Sequence, residues 1–271
     1  MSAPSASPAA WIPRFWGSSP LFEAVAGQAA ALGDLDDFPG VDTLTARLLQ
    51  GDTGPGAPLS FELQTSKRSR RGPISLDALY DGRIHRLGRI PTRARSWHDL
   101  MNALAWATFP RTKRSIHARQ HDELARILAE APARLPNART RIQDALAMLD
   151  EGGVVVAALP DREASLRAAV AEGDGDAIAE RVRSGQARVL VLGHAILEHA
   201  VLGAGPVRAS PVVMGVRALE PLSSLVAEVD VELAIHVAEH LTAPGRAPAL
   251  LVTDSLFPEL CSGARQGVEA P

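Results

Sequence analysis

The sequence predicts an α+β fold, a predominantly helical single domain with a few short strands. Long segments with apolar residues at helical spacing outnumber the short apolar runs that form buried strands. The chain has 271 residues, of which 46% are hydrophobic, so it can bury one sizeable core. By length the chain could hold one large domain or two small ones, and no internal repeat is visible. We expect a globular body over 20–260 between flexible tails over 1–19 and 261–271, with Trp11, Phe15 and Trp16 able to pin the first tail onto that body.

The first third of the chain alternates helical and extended segments. Apolar spacing predicts helices over 22–32 and 41–49, with Asp and Pro-Gly between them. Alternating apolar and polar residues predict a strand over 59–65. Two glycines in the segment 80–90 indicate turns, so we expect an extended hairpin there.

Capping residues bound several of the remaining helices. Ser96 suits an N-cap, Pro110 suits the first turn of a helix, and the glycines at 152–153 suit a helix end. The predicted helices are 97–108, 110–130, 139–150, 162–171, 176–184, 194–202 and 231–241. Short apolar runs predict buried strands over 154–158, 189–192, 212–216 and 250–253.

Composition excludes several classes of protein. A net charge of −3 gives no general attraction to nucleic acid or to anionic membranes. Cys261 is the only cysteine, which excludes an intrachain disulfide and a cysteine metal cluster. The most apolar stretch, 189–207, is interrupted by charged and histidine residues, and the N-terminus lacks the regions of a signal peptide. We therefore expect a cytoplasmic protein with no membrane or nucleic-acid partner, whose oligomeric state remains open.

The helix predicted over 97–108 carries the densest polar information. Its apolar face consists of Trp97, Leu100, Met101, Leu104 and Thr108. Asp99, Asn102 and Trp106 share the opposite face, with His98 beside them. Either this helix is buried on both sides, with its polar groups serving the fold, or its second face lines a pocket.

Three later positions add candidate chemistry. Lys113 and His117 lie along one side of the next helix, where they suit an anionic ligand such as phosphate or a solvated surface. Asp150 ends a helix, where the macrodipole disfavours a carboxylate, so an arginine or a cation must compensate. His194 opens a helix one turn before Glu198, which favours a neutral imidazole that binds metal, acts as a base or bonds a loop carbonyl.

The segment His236-Val-Ala-Glu239-His240 matches the H-x-x-E-H pattern of inverted zincin proteases. Those enzymes need a third ligand well downstream, and Glu259 is the one carboxylate conveniently placed in the short remaining tail. With eight histidines in the chain, we interpret the match as chance.

Part of the chain resembles a bacterial family known as a domain of unknown function. The resemblance rests on Thr92-Arg93, Trp97-His98-Asp99, Asn102-Ala103-Leu104, Trp106 and Phe109-Pro110-Arg111-Thr112-Lys113, followed by Asp144-Ala145-Leu146, Asp150-Glu151-Gly152 and Gly193-His194-Ala195. It spans about 60–205, which implies one domain, and it implies no established activity, cofactor or partner. It includes polar residues from distant segments, as a site assembled from separate elements requires.

Two functions remain open. The first is a hydrolase of a small or phosphorylated substrate, with a small anionic ligand as its expected partner. Its catalytic residues would be His98, Asp99, Asn102, Lys113 and His194. Its substrate-binding residues would be Arg93, Trp106 and His117. The ligands of an assisting divalent metal would come from His98, Asp99, Asp150 and His194. The alternative is a non-enzymatic ligand-binding or scaffold protein whose 97–108 helix is a buried core element. Convergence of these side chains on one cleft would favour the enzyme.

Overall fold

The computed structural model describes residues 10–64, 75–130, 138–241, 250–252 and 256. The predicted class, a mostly helical α+β fold, is confirmed. The α-helices are α1 (Ala26–Ala30), α2 (Val41–Leu48), α3 (Tyr80–Leu87), α4 (Trp97–Thr108), α5 (Pro110–Glu130), α6 (Arg141–Gly152), α7 (Pro160–Glu172), α8 (Gly175–Arg183), α9 (His194–Val201) and α10 (Leu222–Ile235). The strands are β1 (Ser60–Leu63), β2 (Arg89–Thr92), β3 (Gly153–Ala158), β4 (Ala187–Val191), β5 (Val207–Gly215) and β6 (Leu250–Val252).

The main sheet has the strand order β4-β3-β5-β6. The central strand β3 pairs antiparallel with β4 and parallel with β5, and every residue of β3 is buried. An uninterrupted apolar strand is typical of a sheet covered on both faces. The edge strand β6 pairs antiparallel with β5, and β1 and β2 form a separate parallel pair.

Helix α4 is buried on both faces. Its aromatic ends, Trp97 and Trp106, are 3% and 0% exposed, and its polar residues Asp99 and Asn102 are buried as well. Ser96 caps the helix, because its hydroxyl oxygen accepts a hydrogen bond from the Asp99 backbone N–H. Apart from His98, the polar side chains of α4 therefore lie inside the protein and must find partners there.

The hairpin expected over 80–90 is wrong, because the segment forms helix α3 followed by strand β2. Gly88 ends α3 in the left-handed conformation, with φ of 66°, as a helix cap rather than a hairpin turn. Gly82 lies inside the helix. This position requires glycine because a Cβ there would lie 2.0 Å from the Leu76 carbonyl oxygen. Both glycines are required, but for capping and for close packing.

The N-terminal end of the chain also differs from expectation. Residues 10–19 pack against the core instead of forming a tail, since Phe15 is 1% exposed and Trp11 stacks on Trp97 at 5.4 Å between ring centroids. The rest of the expected N-terminal tail and the expected tail over 261–271 lie outside the described residues.

Helix α10 begins before the predicted 231–241 segment. Its buried stripe, Leu225, Val229 and Leu233, has a four-residue spacing that extends the helix towards its start at Leu222. The chain continues from α10 as one π-helical turn, His236–His240. Within the described ranges, no helix combines the length and the apolar character that a bilayer span requires.

Candidate functional site

Polar residues from distant segments meet beside α4. Helices α4, α5, α6 and α9 contribute them, together with the loop that follows β2. The side chains in this cluster are those of Arg93, His98, Asp99, Asn102, Lys113, Asp150 and His194. The structure thus brings together the five residues predicted to be catalytic.

A buried ion pair lies at the base of the cluster. The Lys113 ammonium group pairs with Asp150 Oδ1, and its Nζ donates to Asn102 Oδ1 at 2.8 Å. Nζ also lies 5.4 Å from the ring centroid of Trp106, a cation–π contact. Burial raises the pKa of the Asp150 carboxyl, but the charge and hydrogen bond of Lys113, together with the neighbouring imidazoles His194 and His117, hold that pKa below its ordinary range. The compensation that Asp150 needs at the end of α6 is therefore a lysine.

Asp99 is held by the segment that precedes α4. Its Oδ2 accepts the Arg93 backbone N–H at 2.6 Å and Arg93 Nε at 2.8 Å, while Oδ1 accepts Nη2 at 2.9 Å. Burial alone would raise the pKa of Asp99, yet the hydrogen bonds from His98 and Arg93 lower it overall. Asp99 is thus a fixed carboxylate whose two oxygens are both engaged.

Two imidazoles face each other above these carboxylates. The rings of His98 and His194 meet edge to face, with centroids 4.6 Å apart. In each ring Nδ1 is the nitrogen nearer to a carboxylate. His98 Nδ1 lies 3.2 Å from Asp99 Oδ1, and His194 Nδ1 lies 3.9 Å from Asp150 Oδ2. Each Nε2 lies across its ring from that carboxylate. The His98 side chain is 35% exposed and that of His194 is 5% exposed, so His98 forms the open side of the pair.

The surroundings shift the two pKa values in opposite directions. The hydrogen bond to Asp99 raises the pKa of His98, and the charge of Glu198 adds to this. Burial lowers the pKa of His194, and the positive charge of Lys113 adds to burial while Asp150 opposes both. Adjacent groups with divergent pKa values are suited to opposite steps of a proton transfer.

A second group of polar residues lies behind Lys113. His117 Nδ1 contacts Asp81 Oδ1 at 2.8 Å, and its ring stacks on Trp106 with centroids 5.3 Å apart. The Tyr80 hydroxyl lies next to Asn102, and burial of this hydroxyl raises its pKa. The residue as a whole is 42% exposed. The structure therefore places Trp106 and His117, both predicted to bind substrate, in the interior.

Tyr80 and Asp81 are the members of the site that sequence reasoning missed. They open α3, and a hairpin over 80–90 places their side chains on no helix face. The four-residue spacing from Asp81 to His85, together with Gly88 as a helix cap, is the signal for a helix there.

Three buried polar atoms of these two groups make no hydrogen bond within the part of the chain that the structure describes. They are His194 Nδ1, Trp106 Nε1 and His117 Nε2. Buried polar atoms in folded proteins nearly always have partners. These atoms are therefore able to hydrogen-bond a small molecule or water within the cluster.

The predicted metal ligands do not form a compact ligand set. Both oxygens of Asp99 bond Arg93, and Asp150 Oδ1 pairs with Lys113. Among the described residues, three potential ligand atoms lie within 4.8 Å of one another elsewhere, in His85, His121 and Asp122.

The H-x-x-E-H segment forms the π-helical turn after α10. The ring centroids of His236 and His240 are 6.1 Å apart, and the Glu239 carboxylate lies 3.8 Å from His240 Nε2. Glu259, the third ligand that a zincin site would need, lies outside the described residues.

Comparison with known proteins identifies a family. The sequence pattern of the family described as "Protein of unknown function (DUF3025)" matches residues 70–252, well over half of the chain. The chain therefore belongs to this family, and the expected resemblance to a domain-of-unknown-function family is confirmed. No curated protein and no solved structure matches the chain.

Proposed function

We propose that this member of the DUF3025 family is a hydrolase of a small phosphorylated substrate, in which His98 and His194 carry protons to and from the reacting atoms. The observation that carries the proposal is the pair of imidazoles, 4.6 Å apart between centroids, each with Nδ1 turned to an aspartate. The Asp99 carboxylate at Nδ1 orients the His98 ring so that its Nε2 acts on the substrate. At His194 the Asp150 carboxylate lies 3.9 Å from Nδ1, so it acts on that ring through its charge and not through a hydrogen bond.

The two histidines take different roles. His194, kept neutral by burial, accepts a proton from the attacking water at Nε2, and Asp150 stabilises the imidazolium that forms. The water oxygen bonds to phosphorus while the bond from phosphorus to the leaving oxygen breaks. His98 donates a proton from Nε2 to that leaving oxygen. The products are an alcohol and phosphate, and proton exchange with solvent restores both rings.

Arg93 supports an anionic substrate. Its side chain is 56% exposed, and its guanidinium bonds Asp99 through Nε and Nη2. Its Nη1 makes no hydrogen bond to the described residues, so it suits a phosphate oxygen, while the Glu198 carboxylate also acts on this guanidinium. Lys113 pairs with Asp150, and Asn102 accepts a hydrogen bond from Lys113, so Lys113 positions Asp150 and Asn102 positions Lys113.

The test is ester hydrolysis by the full-length chain after dialysis against EDTA. The probes are p-nitrophenyl phosphate, bis(p-nitrophenyl) phosphate and p-nitrophenyl acetate, which separate phosphate esters from carboxyl esters. We expect turnover of a phosphate ester that falls about 10²–10⁴-fold in His98→Gln and in His194→Gln, the usual contribution of acid–base catalysis. The matched control is His199→Gln, an exposed histidine of the same helix α9, which should retain full activity.

The alternative, a scaffold or binding protein, is favoured by the burial of α4 on both faces. Under that alternative none of the three esters is turned over, or His98→Gln is as active as the wild type. Either result overturns the proposed hydrolase. Preferential turnover of the acetate ester would overturn the phosphorylated substrate class.

A further inference from the structure

Helices α3 and α5 meet in two successive contacts one helical turn apart. Asp81 on α3 contacts His117 on α5, and four residues further along each helix His85 faces His121. Residues four apart lie on the same helix face, so both contacts belong to one interface. The first contact pairs an imidazole with a carboxylate, whereas the second pairs two imidazoles with centroids 4.8 Å apart.

A carboxylate completes the second contact. Asp122 follows His121, and its Oδ1 lies 3.4 Å from His121 Nδ1. One nitrogen from each imidazole and one oxygen of Asp122 all lie within 4.8 Å of one another. Tetrahedral zinc with bonds of 2.0–2.1 Å holds its ligand atoms about 3.3 Å apart. Small side-chain rotations would bring the three atoms from their present separations to that distance.

We propose that His85, His121 and Asp122 bind a divalent transition-metal ion of the zinc class. Two imidazoles with one carboxylate are a known protein ligand set for such ions, whereas magnesium and calcium prefer oxygen ligands. This site is separate from the proposed hydrolase, whose histidines it does not include.

The surroundings leave room for further ligands of the metal. The Asp122 side chain is 76% exposed, and that of His121 is 14% exposed. His85 also lines a cavity of about 400 Å³ between α3, α5 and α10. A three-ligand site beside a cavity keeps coordination positions open for water or an exchangeable ligand.

Charge makes the carboxylate essential to this site. The positive charges of Arg86 and Arg114 act on His85. A cation bound there is therefore repelled by these two arginines and attracted by the negative charge of Asp122. Neutralising Asp122 should weaken binding even though the two imidazoles remain.

The experiment uses untagged full-length protein, first assayed for metal content and then freed of metal with EDTA. Isothermal titration with Zn²⁺ should give one equivalent of binding. We expect His121→Ala and Asp122→Asn each to weaken Zn²⁺ affinity at least about tenfold, because even loss of an outer-shell partner weakens metal binding by 10–100-fold. His240→Ala is the control, since its exposed imidazole belongs to the separate H-x-x-E-H segment.

Three results would overturn the metal site. The first is the absence of a saturable one-equivalent site for Zn²⁺ in the wild type. The second is wild-type affinity in both His121→Ala and Asp122→Asn, and the third is loss of binding in His240→Ala, which would assign the metal to the zincin-like segment. Asp122→Asn keeps the test valid if His121→Ala misfolds, because an exposed side chain at 122 is not needed for packing.

Discussion

Lys113 and Asp150 form an ion pair inside the protein, with 0% of the lysine side chain and 15% of the aspartate side chain exposed. Replacing Lys113 by Met removes the charge but keeps an unbranched apolar chain. Asp150 is then left buried without its cation, which usually destabilises a protein by about 3–5 kcal/mol. Urea unfolding of Lys113→Met at pH 7 should give a loss of free energy of unfolding in that range.

An exposed ion pair provides the matched comparison. Arg167 pairs with Glu163 on the surface of α7, with side chains 57% and 30% exposed. Arg167→Met should change the free energy of unfolding by less than about 1 kcal/mol. Adding Asp150→Asn to Lys113→Met should restore part of the lost stability, because the unpaired charge is gone. Equal effects of the Lys113 and Arg167 substitutions would contradict the buried ion pair.

Asp99 and His98 are neighbours that should differ in their effect on stability. Asp99→Ala removes the acceptor of three hydrogen bonds from Arg93, one of them from the backbone N–H, and should destabilise the protein by about 1–3 kcal/mol. His98→Gln replaces a half-exposed ring and should lower the free energy of unfolding by less than about 1 kcal/mol. Thermal and urea unfolding of both variants measure this difference. A loss in His98→Gln as large as in Asp99→Ala would make His98 a structural residue.

The polar cluster was predictable because its members are conspicuous in the sequence. Lys113 is one of two lysines, and His98 and Asp99 belong to a helix that also carries two tryptophans. The pairings were not predictable. That Asp150 finds Lys113 rather than an arginine depends on how α5 and α6 pack, and local spacing carries no information on that.

The missed elements have a common physical cause. Gly88 suits a helix cap as well as a hairpin turn, and only its combination with the four-residue spacing from Asp81 to His85 favours the cap. The short polar helix α3 is decided by tertiary contacts with α5, which outweigh its weak apolar pattern. The parallel pairing of β3 with β5 likewise depends on long-range packing.

His194 should make the protein sensitive to acid. Burial lowers its pKa to about 3 in the folded protein, against an ordinary value of 6.5, so between those pH values the unfolded chain binds more protons. Stability therefore falls as the pH drops below about 6.5, by at most about 1.4 kcal/mol per pH unit. The groups that face His194 from neighbouring helices are Asp150, Lys113 and His98.

Urea unfolding at pH 7 and pH 5 tests this dependence. Between those values the wild type should lose about 2 kcal/mol more stability than His194→Gln, which lacks the titrating ring. His98 acts in the opposite sense, because its pKa is raised: the stability that it adds is present below about 6.5 and is lost as the pH rises through the raised value. Parallel profiles for the wild type and His194→Gln would show that His194 is not held neutral by burial.

The start of α9 depends on a glycine that approaches another backbone segment. A Cβ on Gly193 would lie 2.6 Å from the Glu151 carbonyl oxygen and 2.6 Å from the Gly153 nitrogen. Since the atoms it would meet belong to the backbone of the segment 151–153 and cannot yield easily, Gly193→Ala must shift the first turn of α9 and with it His194. We expect a loss of about 1–3 kcal/mol in the free energy of unfolding, the usual range for overpacking, and a fall in phosphate-ester turnover.

Gly152 supplies the control for this prediction, because it lies in the neighbouring segment and a Cβ there meets nothing within 4 Å. Gly152→Ala should leave ester turnover unchanged and raise the free energy of unfolding by up to about 1 kcal/mol, because alanine restricts the unfolded chain. If Gly193→Ala is as stable and as active as Gly152→Ala, the close approach does not fix His194. If Gly193→Ala loses activity but keeps its stability, the shift is confined to the imidazole pair, which strengthens the role proposed for it.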